Sequence, residues 1–401
     1  MRILCVTYAF PPLHAPRAIQ VARLLTALAR RGHAVTVVTA RPELTAYPCD
    51  PGLEALVAPG IRVHRTGTLE GRTLGRLLLA AGAPDPKALW ALGALRAARG
   101  FLAGGTFDAL CTFGQPFTAH LLGLRLRRAA GLPWVAHFSD PWAGNPYLAA
   151  YGPWHRRAQR VLEGRVVRAA DRILVVSATH AAQLARTYGE SLRDRMGVLP
   201  HAYDPEAYPP APPRDPATFV VAHVGHFYGA RTPEPLLRAA AGIPEGGRLR
   251  LRFVGGWPTA LTRRVRELGL EGRAEFVGPV GYAESLRQIA AADLLVVLDA
   301  PAEAESPFLP SKLIEYLGSG RPVLGITPAA GETARTLHHL RLPVRAPEDI
   351  EGIRSLLADY LGGRNAPSAV PPPAEFGIEA VGKRCEQVLL SLADRPPGGR
   401  S

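Results

Sequence analysis

Short apolar segments alternate with amphipathic stretches along the whole of this chain, and the alternation starts twice. The first series runs through Arg2 to Thr7, Ala34 to Thr39, Arg62 to Arg65, Ala109 to Thr112, Trp134 to Phe138, Arg172 to Val176 and Met196 to Leu199. Between the first two, Pro16 to Arg31 carries Ile19, Val21, Leu24, Leu25 and Leu28 at helical spacing, and Gly32-His33 ends it. Tyr203 to Pro216 then holds six prolines and no periodicity, which is the composition of a linker. The alternation resumes at Phe219 to His223, Leu249 to Val254, Ala274 to Val277, Asp293 to Leu298, Pro322 to Ile326 and Leu342 to Arg345. Strands alternating with helices give parallel sheets covered on both faces, so the pattern predicts two doubly wound α/β domains.

The 401 residues suit two such domains, and 47% hydrophobic with 20% charged residues is a globular composition. Arg or Gly interrupts every apolar run well before the ~20 residues that span a bilayer. The apolar start is strand-like and stops at Phe10-Pro11-Pro12, which argues against a leader. A cytoplasmic protein is expected. Cys5, Cys49, Cys111 and Cys385 are scattered without Cys-x-x-Cys spacing or neighbouring histidines, so buried reduced thiols are expected rather than zinc or disulfides.

The net charge of +13 is uneven: residues 1–208 contribute +12 and the remainder +1. Trp154 to Arg168 is the densest basic stretch, with Arg and apolar residues interleaved at helical spacing. Such a helix suits an anionic membrane surface on the inner face, and equally a solvated outer face. Nucleic-acid binding is not expected, because no recognition motif and no basic run with interleaved aromatics is present.

The most chemically informative segment is Ser306 to Gly325, SPFLPSKLIEYLGSGRPVLG. It reads as a loop, a helix opening at Pro310-Ser311 with Ser as the cap, and a Gly-Arg-Pro exit into a strand. Lys312 then lies in the first helical turn beside free backbone donors and the positive end of the dipole, a setting for a diphosphate. Glu315 follows one turn later. The bland alternative is a capped amphipathic helix with surface charges.

This segment resembles the donor-site motif of retaining nucleotide-sugar glycosyltransferases with the GT-B fold, in the large bacterial family 4 or group 1 type that includes lipopolysaccharide and mannosyl transferases. Phe10-Pro11-Pro12, Arg31 to Val37, Ala170 to Ser177 and the turn Pro200 to Asp204 are similar to that family in the same order. The resemblance implies two Rossmann-like domains facing across a cleft: residues 1–208 for the acceptor, 209–376 for the donor, and a final helix at 377–394 crossing back to the first domain. It implies diphosphate contacts from Pro310, Ser311, Lys312 and Leu313 and a ribose contact from Glu315. Many members carry another Glu eight positions earlier, and Pro307 stands there in this chain.

The loop Val224 to Glu234 contains Gly225, Gly229 and Arg231 ahead of a Thr232-Pro233 helix start. The glycines permit close backbone approach, and the resemblance makes Arg231 a second phosphate contact; a surface Arg capping a loop is the alternative. Gly255-Gly256-Trp257 ends a strand at the same edge and is a weaker candidate for the base pocket. In the first half, His14 and Arg17, in the stretch Phe10 to Arg17, are candidates to face the acceptor or the donor phosphate, with a solvated loop the equal alternative for each. His137 and Asp140, in AHFSDPW, follow a strand and are candidates to hold the donor sugar and orient the acceptor hydroxyl, against a satisfied core imidazole and a turn cap.

The resemblance implies a donor that is UDP- or GDP-linked, a glycan, lipid or small-molecule acceptor, retention, and neither cofactor nor metal. Surface polysaccharide, glycolipid or glycoconjugate synthesis is the setting it implies. A GT-B protein that binds a nucleotide sugar or glycan without transferring it is the rival. A Rossmann dehydrogenase is disfavoured, because no Gly-x-Gly-x-x-Gly follows the first strand.

Overall fold

The computed structural model describes residues 1–145, 152–227, 230–244, 247–300, 305–363 and 371–393. Gly229, the Pro-rich stretch up to residue 370, the end of the expected final helix and the C-terminal tail lie outside them. The chain divides into two compact units, Met1–Ala202 with Ile378–Ser401, and Tyr203–Gly377.

The strands of the first unit are β1 (Arg2–Thr7), β2 (Ala34–Ala40), β3 (Arg62–Thr66), β4 (Ala109–Gly114), β5 (Trp134–Phe138), β6 (Arg172–Val175) and β7 (Met196–Val198). Its helices are α1 (Pro16–Arg30), α2 (Arg72–Ala80), α3 (Trp90–Gly104), α4 (Thr118–Ala130), α5 (Gly152–Ala169) and α6 (Ala178–Tyr188). The second unit holds β8 (Phe219–Val224), β9 (Leu249–Val254), β10 (Ala274–Gly278), β11 (Leu294–Leu298), β12 (Val323–Ile326) and β13 (Val344–Arg345). Its helices are α7 (Glu234–Ala241), α8 (Thr259–Glu267), α9 (Tyr282–Ala291), α10 (Ser311–Gly318), α11 (Glu332–His339) and α12 (Ile350–Leu361). Helix α13 (Ile378–Ala393) closes the series.

The first sheet has the order β3-β2-β1-β4-β5-β6-β7 and the second β10-β9-β8-β11-β12-β13. Their named strand pairs are all parallel, with Cys5 level with Cys111 and Val221 level with Leu294. The central strands β4, β5 and β11 are buried along their full length, as a sheet covered on both faces requires. Strand order reverses between β1 and β4 in the first unit and between β8 and β11 in the second. Ligands of open α/β sheets bind at such switch points, beyond the carboxyl ends of the strands. The loops leaving β1, β8 and β11 therefore matter most.

Fully buried Trp90, Trp134 and Trp142 anchor the first core. Each indole N–H has an acceptor, from Thr66 at 2.8 Å, Thr112 at 2.9 Å and Gln159 at 2.8 Å, so none carries an unpaired polar group. Helix α13 belongs to this unit. Ile378, Val381, Cys385, Leu389 and Leu392 recur at helical spacing and pack with Val21, Leu24, Leu25 and Leu28 of α1. Gly382 allows the approach, since a Cβ there would lie 2.6 Å from that of Ala27. Beside this seam, Glu386 accepts from Arg31 Nε at 2.7 Å and pairs with His33 Nε2 at 2.9 Å.

Cys5, Cys111 and Cys385 are buried thiols, but Cys49 is exposed, contrary to the default expectation: it lies in the irregular stretch after β2 rather than in an element with a core face. No described helix is long and apolar enough to cross a membrane.

Candidate functional site

The loop after β8 and the start of α10 meet in the second unit. Tyr316 ties them together: its hydroxyl accepts from Val224 N–H at 2.7 Å and donates to Val224 C=O at 3.0 Å. Lys312, one turn earlier, runs across Gly225. Gly225 has φ 145°, and a Cβ there would fall 2.5 Å from Lys312 Nζ. The glycine therefore makes room for the lysine.

Lys312 Nζ lies 3.0 Å from His223 Nε2. Burial pushes its pKa down to about 7, helped by the Arg231 charge and opposed by Asp299. Arg231 reaches Asp299 Oδ1 at 3.4 Å, and the Thr327 hydroxyl donates to Oδ2 at 3.3 Å. Asp299, placed just past β11, thus faces two cations, and the cluster has an excess of positive charge at the open end of the sheet. At the far side of the same turn, Glu315 accepts from the Tyr208 hydroxyl at 3.1 Å, which orients its carboxylate.

The expected Ser311 cap is corrected. Pro310 is the N-cap and Ser311 the first helical residue, and no side chain caps the helix. No capping side chain consumes the first N–H groups of α10; that of Leu313 donates to Pro310 C=O at 3.0 Å, which leaves those of Ser311 and Lys312 for an anion. Leu313 is buried and its N–H is engaged, so the Leu313 contact is corrected. In the neighbouring loop, Gly256 N–H donates to His226 Nδ1 at 2.8 Å and Trp257 packs on Phe276 at 4.8 Å, so this turn is braced from within the unit.

In the first unit, Arg17 is not in a solvated loop. It lies in the first turn of α1, is 8% exposed, and donates to His137 Nδ1 at 2.9 Å and to His137 C=O at 3.1 Å. Burial lowers its pKa to about 9, against the Asp140 charge, which raises it. His137 is also held by the Leu199 backbone, and burial first, then Arg17, keeps it well below its ordinary value. Its ring is therefore spent inside the unit as a neutral imidazole, and the sugar-holding reading of His137 is corrected to one of positioning Arg17. Asp140 accepts from the Ser139 hydroxyl at 2.8 Å and stays at the surface of this group. Arg17, His137 and Asp140 do come together at the carboxyl end of β5, with His137 inside the strand and not after it. His14 is held by its backbone N–H, 2.7 Å from Pro48 C=O, and is half-buried.

His223, Asp299, Thr327 and Tyr208 were not singled out by sequence. Asp299 gave the clearest signal, a carboxylate directly after an apolar strand. Among the described residues, no three His, Cys, Asp or Glu side chains gather as metal ligands.

Residues 18–202 match the family described as "Glycosyl transferase 4-like domain". The first unit is a glycosyl transferase 4-like domain. With it come relatives named D-inositol 3-phosphate glycosyltransferase. One, from Nocardia farcinica, is 32% identical over 229 residues, 52% of this chain and 49% of its own length. Another, from Mycolicibacterium smegmatis, is 29% identical over 317 residues, 74% of this chain and 67% of its own. The chain spans about half the length of the first of these relatives. Among solved structures, Anabaena HepE in complex with UDP and glucose has a TM-score of 0.68 at 19% identity, covering 98% of this chain and 100% of HepE. Sucrose-phosphate synthase from Thermosynechococcus elongatus has a TM-score of 0.73 at 19% identity, over 98% and 99%. The fold is GT-B: a glycosyl transferase 4-like unit, a second parallel-sheet unit, and a last helix returned to the first.

Proposed function

We propose that this chain is a retaining glycosyltransferase that moves a sugar from a nucleoside-diphosphate donor to an acceptor hydroxyl. The observation that carries the reading is the cation excess of Lys312 and Arg231 at an α10 start with no capping side chain, beside Gly225. The donor diphosphate sits on that helix start, with Glu315 toward the ribose. The bond from the anomeric carbon to the diphosphate oxygen breaks, and the fixed positive field stabilises the charge left on the diphosphate. The acceptor oxygen bonds to the same face of the sugar and gives its proton to a phosphate oxygen, so neither a base nor a metal cofactor is called for. In the first unit, Arg17 and Asp140 are the acceptor-side groups, with His137 holding Arg17.

HepE bound to UDP and to UDP-glucose supports a UDP-linked donor, with GDP the other choice. The names of the relatives support a hydroxyl-rich acceptor of the phosphorylated cyclitol kind, and the wider setting is glycolipid, surface-polysaccharide or glycoconjugate synthesis. Incubation with UDP-glucose and inositol phosphate, followed by NMR of the new anomeric proton, is the test. Transfer with the donor's anomeric configuration is expected; inverted product, or only hydrolysis, sinks retention. Pro307, in place of the Glu that many members carry, favours a rival that binds without transferring. Binding of UDP-glucose with no product from any acceptor would make that rival the better account.

The protein acts at the cytoplasmic face of a membrane in this reading. On α5, Arg156, Arg157, Arg160, Arg165 and Arg168 share the exposed side with Trp154, which is 73% exposed. Basic residues with an exposed indole suit an anionic lipid surface. Co-sedimentation with vesicles containing phosphatidylglycerol is expected to fall in Trp154→Ser with Arg157→Glu; equal binding to neutral phosphatidylcholine vesicles would refute an electrostatic contact.

A further inference from the structure

In the second unit, the partner of Lys312 is an imidazole where a carboxylate is the usual companion of a buried ammonium. His223 is 1% exposed. Its Nδ1 lies 2.8 Å from Val296 C=O, so Nδ1 carries the proton and donates to that carbonyl. Nε2 is then the lone-pair nitrogen, and it accepts from Lys312 Nζ at 3.0 Å. Phe227 stacks on the ring at 4.7 Å and an interplanar angle of 18°, which fixes its plane. The tautomer and orientation of His223 are thus set by the neighbouring strand β11 and by the loop after β8.

The other groups around Nζ are Arg231 from the loop before α7, Asp299 from the end of β11, and Glu315 further along α10. Arg231 repels the ammonium and shares Asp299 with the Thr327 hydroxyl. Glu315 is turned to Tyr208, and the Tyr316 hydroxyl is spent on Val224. None of these offers Lys312 a carboxylate of its own.

We propose that His223 is a positioning residue that holds the Lys312 amine across Gly225 on a neutral acceptor in place of a carboxylate, so that the diphosphate of the donor binds together with uptake of a proton at Nζ. The inference rests on the donor site proposed above and adds what that site does with pH. In the free protein burial first and Arg231 second push the lysine down to about 7. A diphosphate brought against it supplies the missing negative charge and raises it again. The sign is therefore fixed: affinity for the diphosphate is greatest below pH 7 and falls above it, by roughly tenfold per pH unit while the bound form stays protonated. A neutral lysine is also one that can rest in a half-buried slot between catalytic cycles without a permanent counter-ion.

Calorimetric titration with UDP and GDP at pH 7.5, in PIPES and separately in Tris, tests this. The observed heat is expected to differ between the buffers by an amount equal to about 0.5 to 1 proton taken up per site. His223→Phe removes the acceptor that fixes Nζ and favours its charged form, while burial and Arg231 remain. It should weaken the diphosphate about tenfold and move the loss of affinity to lower pH. His223→Gln, whose amide oxygen takes the place of Nε2, should keep both the affinity and the pH at which it falls. A variant that is merely less stable would lose affinity without moving that pH. Tight binding with the same heat in both buffers overturns the inference and leaves the donor site standing. Failure of every nucleoside diphosphate to bind overturns the site reading as well.

Discussion

Replacing Lys312 with Ala is expected to lower kcat/KM for the nucleotide-sugar donor by roughly 10²- to 10³-fold, the scale seen when one fixed donor to a developing negative charge is removed. The reason is local. Lys312 and Arg231 are the cations of the α10 site, and Asp299 already faces both. With Lys312 gone, the leaving diphosphate would be held by Arg231 and by the backbone donors of the helix start alone. Lys312→Met, which keeps the length and loses the charge, should show the same loss, and that separates charge from packing. Thermal stability should not fall in either variant, because a half-buried ammonium under a burial penalty contributes little to folding. Steady-state kinetics with each variant, alongside thermal melts, gives the comparison. A Met variant with wild-type turnover would remove the lysine from the mechanism.

Acidification from pH 7 to pH 5 is expected to unfold the first unit. His120, His180 and His201 are each held down to about 3, in every case by burial first, with Arg17 as a further cause for His120 and His201. Both ring nitrogens of His180 are buried without a hydrogen-bond partner. An unfolded imidazole titrates near 6.5, so below that pH the unfolded chain binds protons that the native unit refuses. Stability from this source is intact above pH 6.5 and is lost progressively as the pH falls toward 3. Each histidine costs about 1.4 kcal/mol per pH unit in that window, and three together about 4 kcal/mol. By pH 5 the loss is about 6 kcal/mol, comparable with the total stability of an ordinary domain, about 5 to 15 kcal/mol. Burial of Trp90, Trp134 and Trp142 makes fluorescence a direct reporter of this unit. A flat signal down to pH 4 would contradict the prediction, and His180→Phe should move the transition to lower pH.

The division into two α/β units was legible because period and composition report burial directly. β1, β5 and β9 have the bounds their sequences suggest: β5 is buried throughout, β1 past its first residue, and β9 alternates, with half-buried Arg250 and Arg252 between buried Leu249, Leu251 and Phe253. The Pro-rich stretch was legible as a break in periodicity, and the change of unit falls at its start, between Ala202 and Tyr203. Part of the candidate site was legible for the same reason: Lys312 and Glu315 lie on a helix start, and local sequence sets helix starts. The cap was misread because Ser favours that position in general, while Pro310, extended at φ −63° and ψ 132°, already ends the loop here.

What the sequence determined by itself is the set of elements, their order, the asymmetry of charge and the placing of Lys312 at the beginning of α10. Each follows from interactions between residues close in the chain, or from a periodicity that any covered sheet imposes. Only the tertiary structure decided which groups meet across long separations: His223 with Lys312, Asp299 between Arg231 and Lys312, Tyr208 with Glu315, and Arg17 with His137. These encounters depend on strand order and on the direction in which each loop leaves its sheet. Charge and burial at the site follow from the encounters, so the protonation of Lys312 is a property of the fold, although the lysine itself is written in the sequence.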